Sequence, residues 1–218
     1  MPRTPQLTPG EIPEGAERAD AAQHGTDGLI ALRDRRLVCS NAVFSVYFDK
    51  LEQPDGRQVV DYLSIVPKTL AEGGISGVAI MPEVDGLLGL VHVFRHPLRA
   101  AGWEIPRGFV DPDESVVDAA LRELREEAHL EATASNLVDL GRLAPEAAMF
   151  AGRAQLYLAR QCVRVHGDSA KELGHGALRF FSLAEIADLA AADEIQDPCT
   201  LVAYLRYRQL ASGTAGER

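Results

Sequence analysis

The sequence predicts an α+β domain, an α/β/α sandwich with helices on both faces of a mixed β sheet, preceded by an antiparallel β hairpin. Three observations carry this. Short runs rich in Val, Ile, Phe and Tyr are punctuated by Pro/Gly turns, three separate helix starts each carry a capping residue, and the chain is long enough for one sizeable core. It has 218 residues, 46% hydrophobic and 25% charged.

The elements follow in order. Residues 1–27 carry Pro2, Pro5, Pro9 and Pro13 among Gly, Gln, Glu and Ala, with too little apolar surface to offset ordering entropy, and read as a flexible arm. Residues 37–51 and 58–66 are strand-like, and Pro54-Asp55-Gly56 between them is a turn signal, giving a hairpin within a 28–70 β element. Residues 77–81 and 87–94 form two more strands, separated by Pro82-Glu83-Val84-Asp85-Gly86. A helix begins after Pro112, where Ser115 with Asp118 resembles a capping box, and runs to about Ala128. Strand patterns return over 154–165 and 178–181. Ser182 with Glu185 is a fuller capping box, flanked by Phe181 and Ile186 as a hydrophobic staple, and opens a helix to Ala191. Asp197-Pro198 is an N-cap with proline at the first helical position, starting an amphipathic helix through about Leu210. Residues 71–212 thus form the main domain and 213–218 a tail.

Composition removes several function classes. The formal net charge of −10 repels a phosphate backbone, so sequence-independent nucleic-acid binding is not expected. Cys39, Cys162 and Cys199 are odd in number, widely spaced and without a C-x-x-C pair. Neither a disulfide framework nor a thiolate zinc site is suggested; the three read as small buried hydrophobes in a reducing cytoplasm. No stretch approaches the ~18 to 20 apolar residues of a membrane span, and a secretory leader pattern is missing, so a soluble cytoplasmic protein is expected.

The chemistry concentrates between Gly108 and Leu130, where Asp111, Asp113, Glu114, Asp118, Glu123, Glu126 and Glu127 face only Arg122 and Arg125. On a helix, Val116, Val117, Ala120, Leu121 and Leu124 form one apolar arc, with Glu123, Glu126 and Glu127 at one edge of it. Glu127 projects between Val116 and Ala120. A carboxylate withdrawn from water beside two others calls for a compensating cation, and carboxylates without His or Cys suit a hard ion such as Mg²⁺. A solvated Glu-rich face with pairs such as Arg122–Glu126 has the same composition. The spacing separates the two readings. Gly108, five residues, Glu114, seven residues, then Arg122-Glu123-Leu124-Arg125-Glu126-Glu127-Ala128-His129-Leu130 resembles the Nudix box, G-x5-E-x7-R-E-U-x-E-E-x-G-U with U aliphatic. The departure is His129 in place of glycine. A left-handed residue there costs a side chain ~1 kcal/mol, so the helix cap is expected to distort or shift by a residue.

The flanks are similar to the ADP-ribose pyrophosphatase branch of that family. Leu90-Val91-His92-Val93-Phe94-Arg95 resembles its Q-x-R-like strand end, Glu104-Ile105-Pro106-Arg107-Gly108 its E-L-P-A-G segment, Pro145 its marker proline, and residues 193–197 its link into the last helix. Arg107 stands for the usual alanine, and His92 and Phe94 depart from the strand motif. The resemblance implies a Nudix fold and metal-dependent hydrolysis of a nucleoside diphosphate linked to another moiety. ADP-ribose or a related nucleotide sugar comes first, giving AMP and a sugar phosphate. It implies Glu123 and Glu127 as ligands of Mg²⁺ (or Mn²⁺), with Glu126 a further ligand or water-orienting carboxylate and the Arg107 carbonyl another oxygen. Arg122 would hold the glutamates, and Gly108 and Glu114 would be structural. Glu172, in a loop before the last strand, would be the general base; Arg95 would be a phosphate contact, and Glu104 a polar contact or outer-shell ligand. Trp103 could stack on a base or simply pack. The branch's N-terminal hairpin pairs subunits, so a homodimer through residues 28–70 is expected. The alternatives are a Nudix enzyme for nucleoside triphosphates, dinucleoside polyphosphates or capped RNA, which Arg107 keeps open, and a catalytically silent Nudix-fold binding module.

Overall fold

The computed structural model describes residues 30–165 and 174–213. The expected arm, the tail from residue 214 and Glu172 lie outside the described residues. The chain divides between Val66 and Pro67 into two compact units.

The first unit is a three-stranded sheet in the order β1 (Ala31–Ser40), β2 (Phe44–Glu52), β3 (Gln58–Pro67). The hairpin expected at Pro54-Asp55-Gly56 joins β2 to β3, with the Gly56 N–H donating to the Gln53 carbonyl and φ 85° at Gly56. The strand expected over 37–51 is two strands. The Asn41 side-chain oxygen accepts from the Val43 and Phe44 N–H groups at 2.8 and 2.7 Å, turning the chain so that Ser40 pairs with Ser45. Period-two apolar patterning is identical on both sides of such a turn and hides it. Inside this unit the buried Asp49 is gripped by Arg35 through two 2.8 Å hydrogen bonds and receives one from Ser64 at 2.6 Å. Cys39 is exposed on β1, contrary to the buried reading; Cys162 and Cys199 are buried as expected.

The second unit is an α/β/α sandwich. Its seven-stranded mixed sheet runs β12 (His175–Phe181), β5 (Leu87–Arg95), β4 (Ile75–Val84), β10 (Arg153–Ala159), β9 (Leu137–Leu143), with β6 (Ala100–Glu104) beside β5 and β7 (Arg107–Phe109) beside β4. β4 and β10 are parallel, and the other pairs are antiparallel. β4 extends through the Pro82-Glu83-Val84 stretch expected to be a turn; only Asp85 and Gly86 turn, both at positive φ. Pro82 has no N–H for a ladder, and it marks the residue where β4 leaves β10 for β5. The strand expected over 154–165 is interrupted at Gln161, φ 53°, after which β11 (Val163–Arg164) pairs with β8 (Leu130–Glu131).

Both faces of β4 are covered, which is why Gly77 to Met81 reads as a continuous apolar run. Val78 and Ile80 pack with Val110, Ala119, Ala120 and Leu124 of the α1 (Val116–Ala128) side. Ala79 and Met81 pack with Phe181, Ile186, Cys199 and Ala203 under α2 (Leu183–Ala191) and α3 (Pro198–Gly213). The caps are those expected. Ser115 accepts from the Asp118 N–H at 3.0 Å, Ser182 and Glu185 form a reciprocal capping box, and Asp197 accepts from the Thr200 N–H at 2.8 Å.

Candidate active site

Two close approaches bring the carboxylates of α1 against the sheet. A side chain at Gly77 would run into the Gly108 carbonyl, and one at Gly108 would overlap the Glu123 carboxylate. Glycine at both positions lets β4, β7 and α1 meet, with Val78 paired to Gly108 across the ladder. The Glu123 carboxylate therefore lies over β7 and is buried at 5% exposure, whereas Glu127 is only half-buried. The apolar arc of α1 alone points to Glu127 as the withdrawn group; β7 covers the flank at Glu123 and buries that carboxylate instead.

Arg122 is the hub. Its Nε and Nη2 each donate to Glu114 at 2.9 Å, Nη2 also to the Phe109 carbonyl at 2.9 Å, and Nη1 to Glu123 at 2.7 Å and Glu126 at 3.1 Å. Its hydrogen bond to Glu114, assisted by those carboxylates, drives the guanidinium pKa further up against the cost of burial. In return Arg122 holds the Glu114 carboxyl below the usual carboxylate range. Glu127 is oriented from the other side, its Oε2 accepting from the Arg107 N–H at 2.8 Å.

The helix ends where the family pattern ends, without the expected shift. His129 itself takes the left-handed conformation, φ 53° and ψ 40°, and its N–H caps the Arg125 carbonyl at 3.1 Å. The strain is held in place because the next residue, Leu130, is fully buried and the His129 carbonyl accepts from the Val165 N–H at 3.0 Å.

Beside this cluster lies a second. Arg95 and Glu104, two candidate substrate contacts, face each other in a bidentate pair at 2.9 and 2.6 Å. Arg107 donates to the same Glu104 oxygen at 3.0 Å and lies 3.2 Å from Asp197. Burial pushes the Glu104 carboxyl up, but the Arg95 hydrogen bond and the Arg107 charge hold it below the usual range. Glu127 and Asp197 also act electrostatically on Arg95, so the two clusters share one field. Burial drives the neighbouring Cys199 thiol up to about 12, which keeps it inert. The sequence marks Asp197 as a helix cap at the end of the 193–197 link; no local signal marks its partner ninety positions earlier. Trp103 packs edge-on against Phe181 and beside His92, each at 4.9 Å, as a core side chain.

The residues fit a hard divalent cation by donor type and charge. Carboxylates of Glu104, Glu114, Glu123, Glu126, Glu127 and Asp197 face the guanidiniums of Arg95, Arg107 and Arg122, leaving −3, with no thiolate or imidazole among these groups. Among the described residues no three such side chains are gathered into a ready cage; Glu123 and Glu126 engage Arg122, and Glu127 engages the Arg107 N–H.

The NUDIX domain model matches residues 77–201. A crystal structure of an ADP compounds hydrolase superposes with a TM-score of 0.70 at 21% identity, covering 85% of this chain and 96% of that one, a likeness of fold. No curated protein matches the sequence. The family match begins in β4, takes in the box and closes in the first turn of α3, the same stretch that the Arg122 hub and the Asp197 cap hold together; this chain belongs to the Nudix hydrolase family.

Proposed function

We propose that this hydrolase cleaves the pyrophosphate bond of a nucleoside diphosphate linked to another moiety, ADP-ribose or a related nucleotide sugar first, in a metal-dependent reaction giving AMP and a sugar phosphate. The observation that carries the reading is the −3 balance of the two adjoining clusters built on Arg122, Arg95 and Arg107. A dianionic diphosphate is repelled from these carboxylates unless a cation intervenes. The fold's likeness to an ADP compounds hydrolase supports the substrate class.

Glu123, Glu127 and Glu126, with the Arg107 carbonyl, would hold Mg²⁺ or Mn²⁺, which when bound neutralises charge on the diphosphate and lowers the pKa of water. Arg122 aligns Glu123 and Glu126 from behind. The attacking water's oxygen bonds to one phosphorus as the bridging P–O bond breaks; Glu172 accepts the water's proton, and the sugar phosphate leaves as an anion. Arg95, a third exposed beyond its pair with Glu104, binds a phosphate oxygen through its free edge. Residues 28–70 pair two copies as a homodimer, and the exposed thiol of Cys39 suits a reducing cytoplasm.

The test is a panel of ADP-ribose, other nucleotide sugars, nucleoside triphosphates, dinucleoside polyphosphates and capped RNA with Mg²⁺, products identified by mass. AMP and ribose phosphate from ADP-ribose are expected. Turnover confined to triphosphates or capped RNA would overturn the substrate class, and nucleotide binding without turnover would make the chain a binding module. Glu127→Gln should abolish turnover and weaken Mn²⁺ binding, while Glu172→Gln should lower kcat with KM near the parent value.

A further inference from the structure

We infer that the Arg107 side chain, which stands where the family pattern has alanine, is a positioning residue. It ties the N-cap of α3 to the edge of the box, holding in place the main-chain N–H that orients Glu127 and the carboxylate that orients Arg95. The inference rests on the metal-dependent reading above and deepens it.

The guanidinium is turned inward. Its Nε and Nη2 lie 3.0 Å from Glu104 Oε2, and its Nη1 lies 3.2 Å from Asp197 Oδ1. Both carboxylates are buried, Glu104 at 5% and Asp197 at 7% exposure. Three donor positions are thus committed to protein acids, which leaves Arg107 poorly placed to read a further anionic group on a substrate. Asp197 explains why the tie is needed. Its Oδ2 is satisfied by the Thr200 N–H and hydroxyl at 2.8 and 2.7 Å, while Oδ1 is buried without a hydrogen bond and has the Arg107 charge as its compensation.

The same helix turn grips the segment a second time. The Ile105 N–H donates to the Thr200 hydroxyl at 3.0 Å, and the Pro106 carbonyl accepts from the Ile80 N–H at 2.8 Å. Residues 105–107 are therefore strapped between α3 and β4, and the strap ends at Arg107, the first residue of β7, which pairs with Ala79 and whose N–H meets Glu127 Oε2 at 2.8 Å. Releasing the guanidinium removes the anchor of this terminal residue of β7 to α3 and lets it and the Glu104 carboxylate relax together. Glu127 then loses its aim and Arg95 loses one of the two charges that set its partner. Arg107→Ala keeps the main-chain N–H and carbonyl, so any loss reports the side chain alone.

The test compares the full-length parent with Arg107→Ala, Arg107→Lys and Arg107→Ala/Asp197→Asn. The readouts are kcat and KM on ADP-ribose with Mg²⁺, Mn²⁺ affinity by electron paramagnetic resonance without substrate, and melting temperature. For Arg107→Ala, kcat and Mn²⁺ affinity should each fall by about 10- to 100-fold, the range for removing a group that orients a ligand, with KM rising only a few-fold through Arg95. Arg107→Lys should recover part of both, since an ammonium can reach one carboxylate but not grip two. The double variant removes the buried charge, keeps an N-cap side chain, and should regain melting temperature without regaining kcat or Mn²⁺ affinity; it carries the test if Arg107→Ala does not fold. Unchanged kcat and Mn²⁺ affinity would overturn the inference, as would a loss confined to KM, which would make Arg107 a substrate contact. Recovery of kcat together with melting temperature in the double variant would reduce Arg107 to a structural role. A parent that neither binds Mn²⁺ nor turns over any nucleotide would instead sink the proposed function and this inference with it.

Discussion

Replacing Arg122 with alanine should destabilise the second unit by about 3 kcal/mol. The guanidinium makes five hydrogen bonds, and the contact that decides the magnitude is the 2.7 Å one to Glu123, whose side chain is 7% exposed. Removing one partner of a buried pair leaves an uncompensated charge and costs ~3 to 5 kcal/mol. The lower end applies here because Arg122 is itself 27% exposed, so water reaches the vacated space. The Glu126 contact adds little, its carboxylate being 54% exposed. The chain's lone tryptophan, Trp103, packs on Phe181 inside this unit. Urea unfolding followed by tryptophan fluorescence therefore reports on the unit that holds the box. The corresponding drop in melting temperature is roughly 6 to 12 °C for a domain of this size. Arg122→Lys should fall between, because one ammonium cannot bridge both Glu114 oxygens and the Phe109 carbonyl. A loss under ~1 kcal/mol with an unchanged denaturant slope would mean that Glu123 is compensated by something other than Arg122, and the hub would have to be redrawn.

His129→Gly should stabilise the protein by about 1 kcal/mol in the same assay, since φ 53° at the C-cap costs a side chain and not a glycine; a loss of stability would show that contacts of the imidazole outweigh the strain. Gly108→Ala should keep the fold but lower kcat by roughly 100-fold, because the new methyl displaces the Glu123 carboxylate; turnover near the parent value would show that Glu123 need not lie over β7. Glu114 is held down by the Arg122 hydrogen bond, and Glu104, which burial would raise, is held down by Arg95 and Arg107. Their stabilising contribution should therefore be complete above the ordinary carboxylate pKa of about 4.3 and vanish as the pH falls through the depressed folded values below it. Fluorescence-detected stability that rises on acidification below that point would contradict the assignment.

Local chemistry made much of this protein legible in one dimension. α1 and α2 start and stop where capping residues and a 3.6-residue period say they must, because a helix satisfies its hydrogen bonds within itself and Ser115 and Ser182 close its first turn from three residues away. The box spacing is legible for the same reason: Arg122, Glu123, Glu126 and Glu127 lie within two turns of one helix, so their order along the chain is their order in space. The turn at Asn41 and the short strands β6, β7 and β9 escaped, since strands depend on partners distant in sequence and their alternation does not announce where one ends. Which box glutamate is buried was settled by β7 crossing over Glu123, and the left-handed His129 by the anchoring of Leu130 and the Val165 bond beyond it. The Arg107–Asp197 pair belongs wholly to the tertiary structure. A residue that departs from the box-entry pattern and a helix cap become one tie only because the sheet and α3 bring them together and bury the Asp197 carboxylate, and no periodicity, cap or spacing in the chain encodes that meeting.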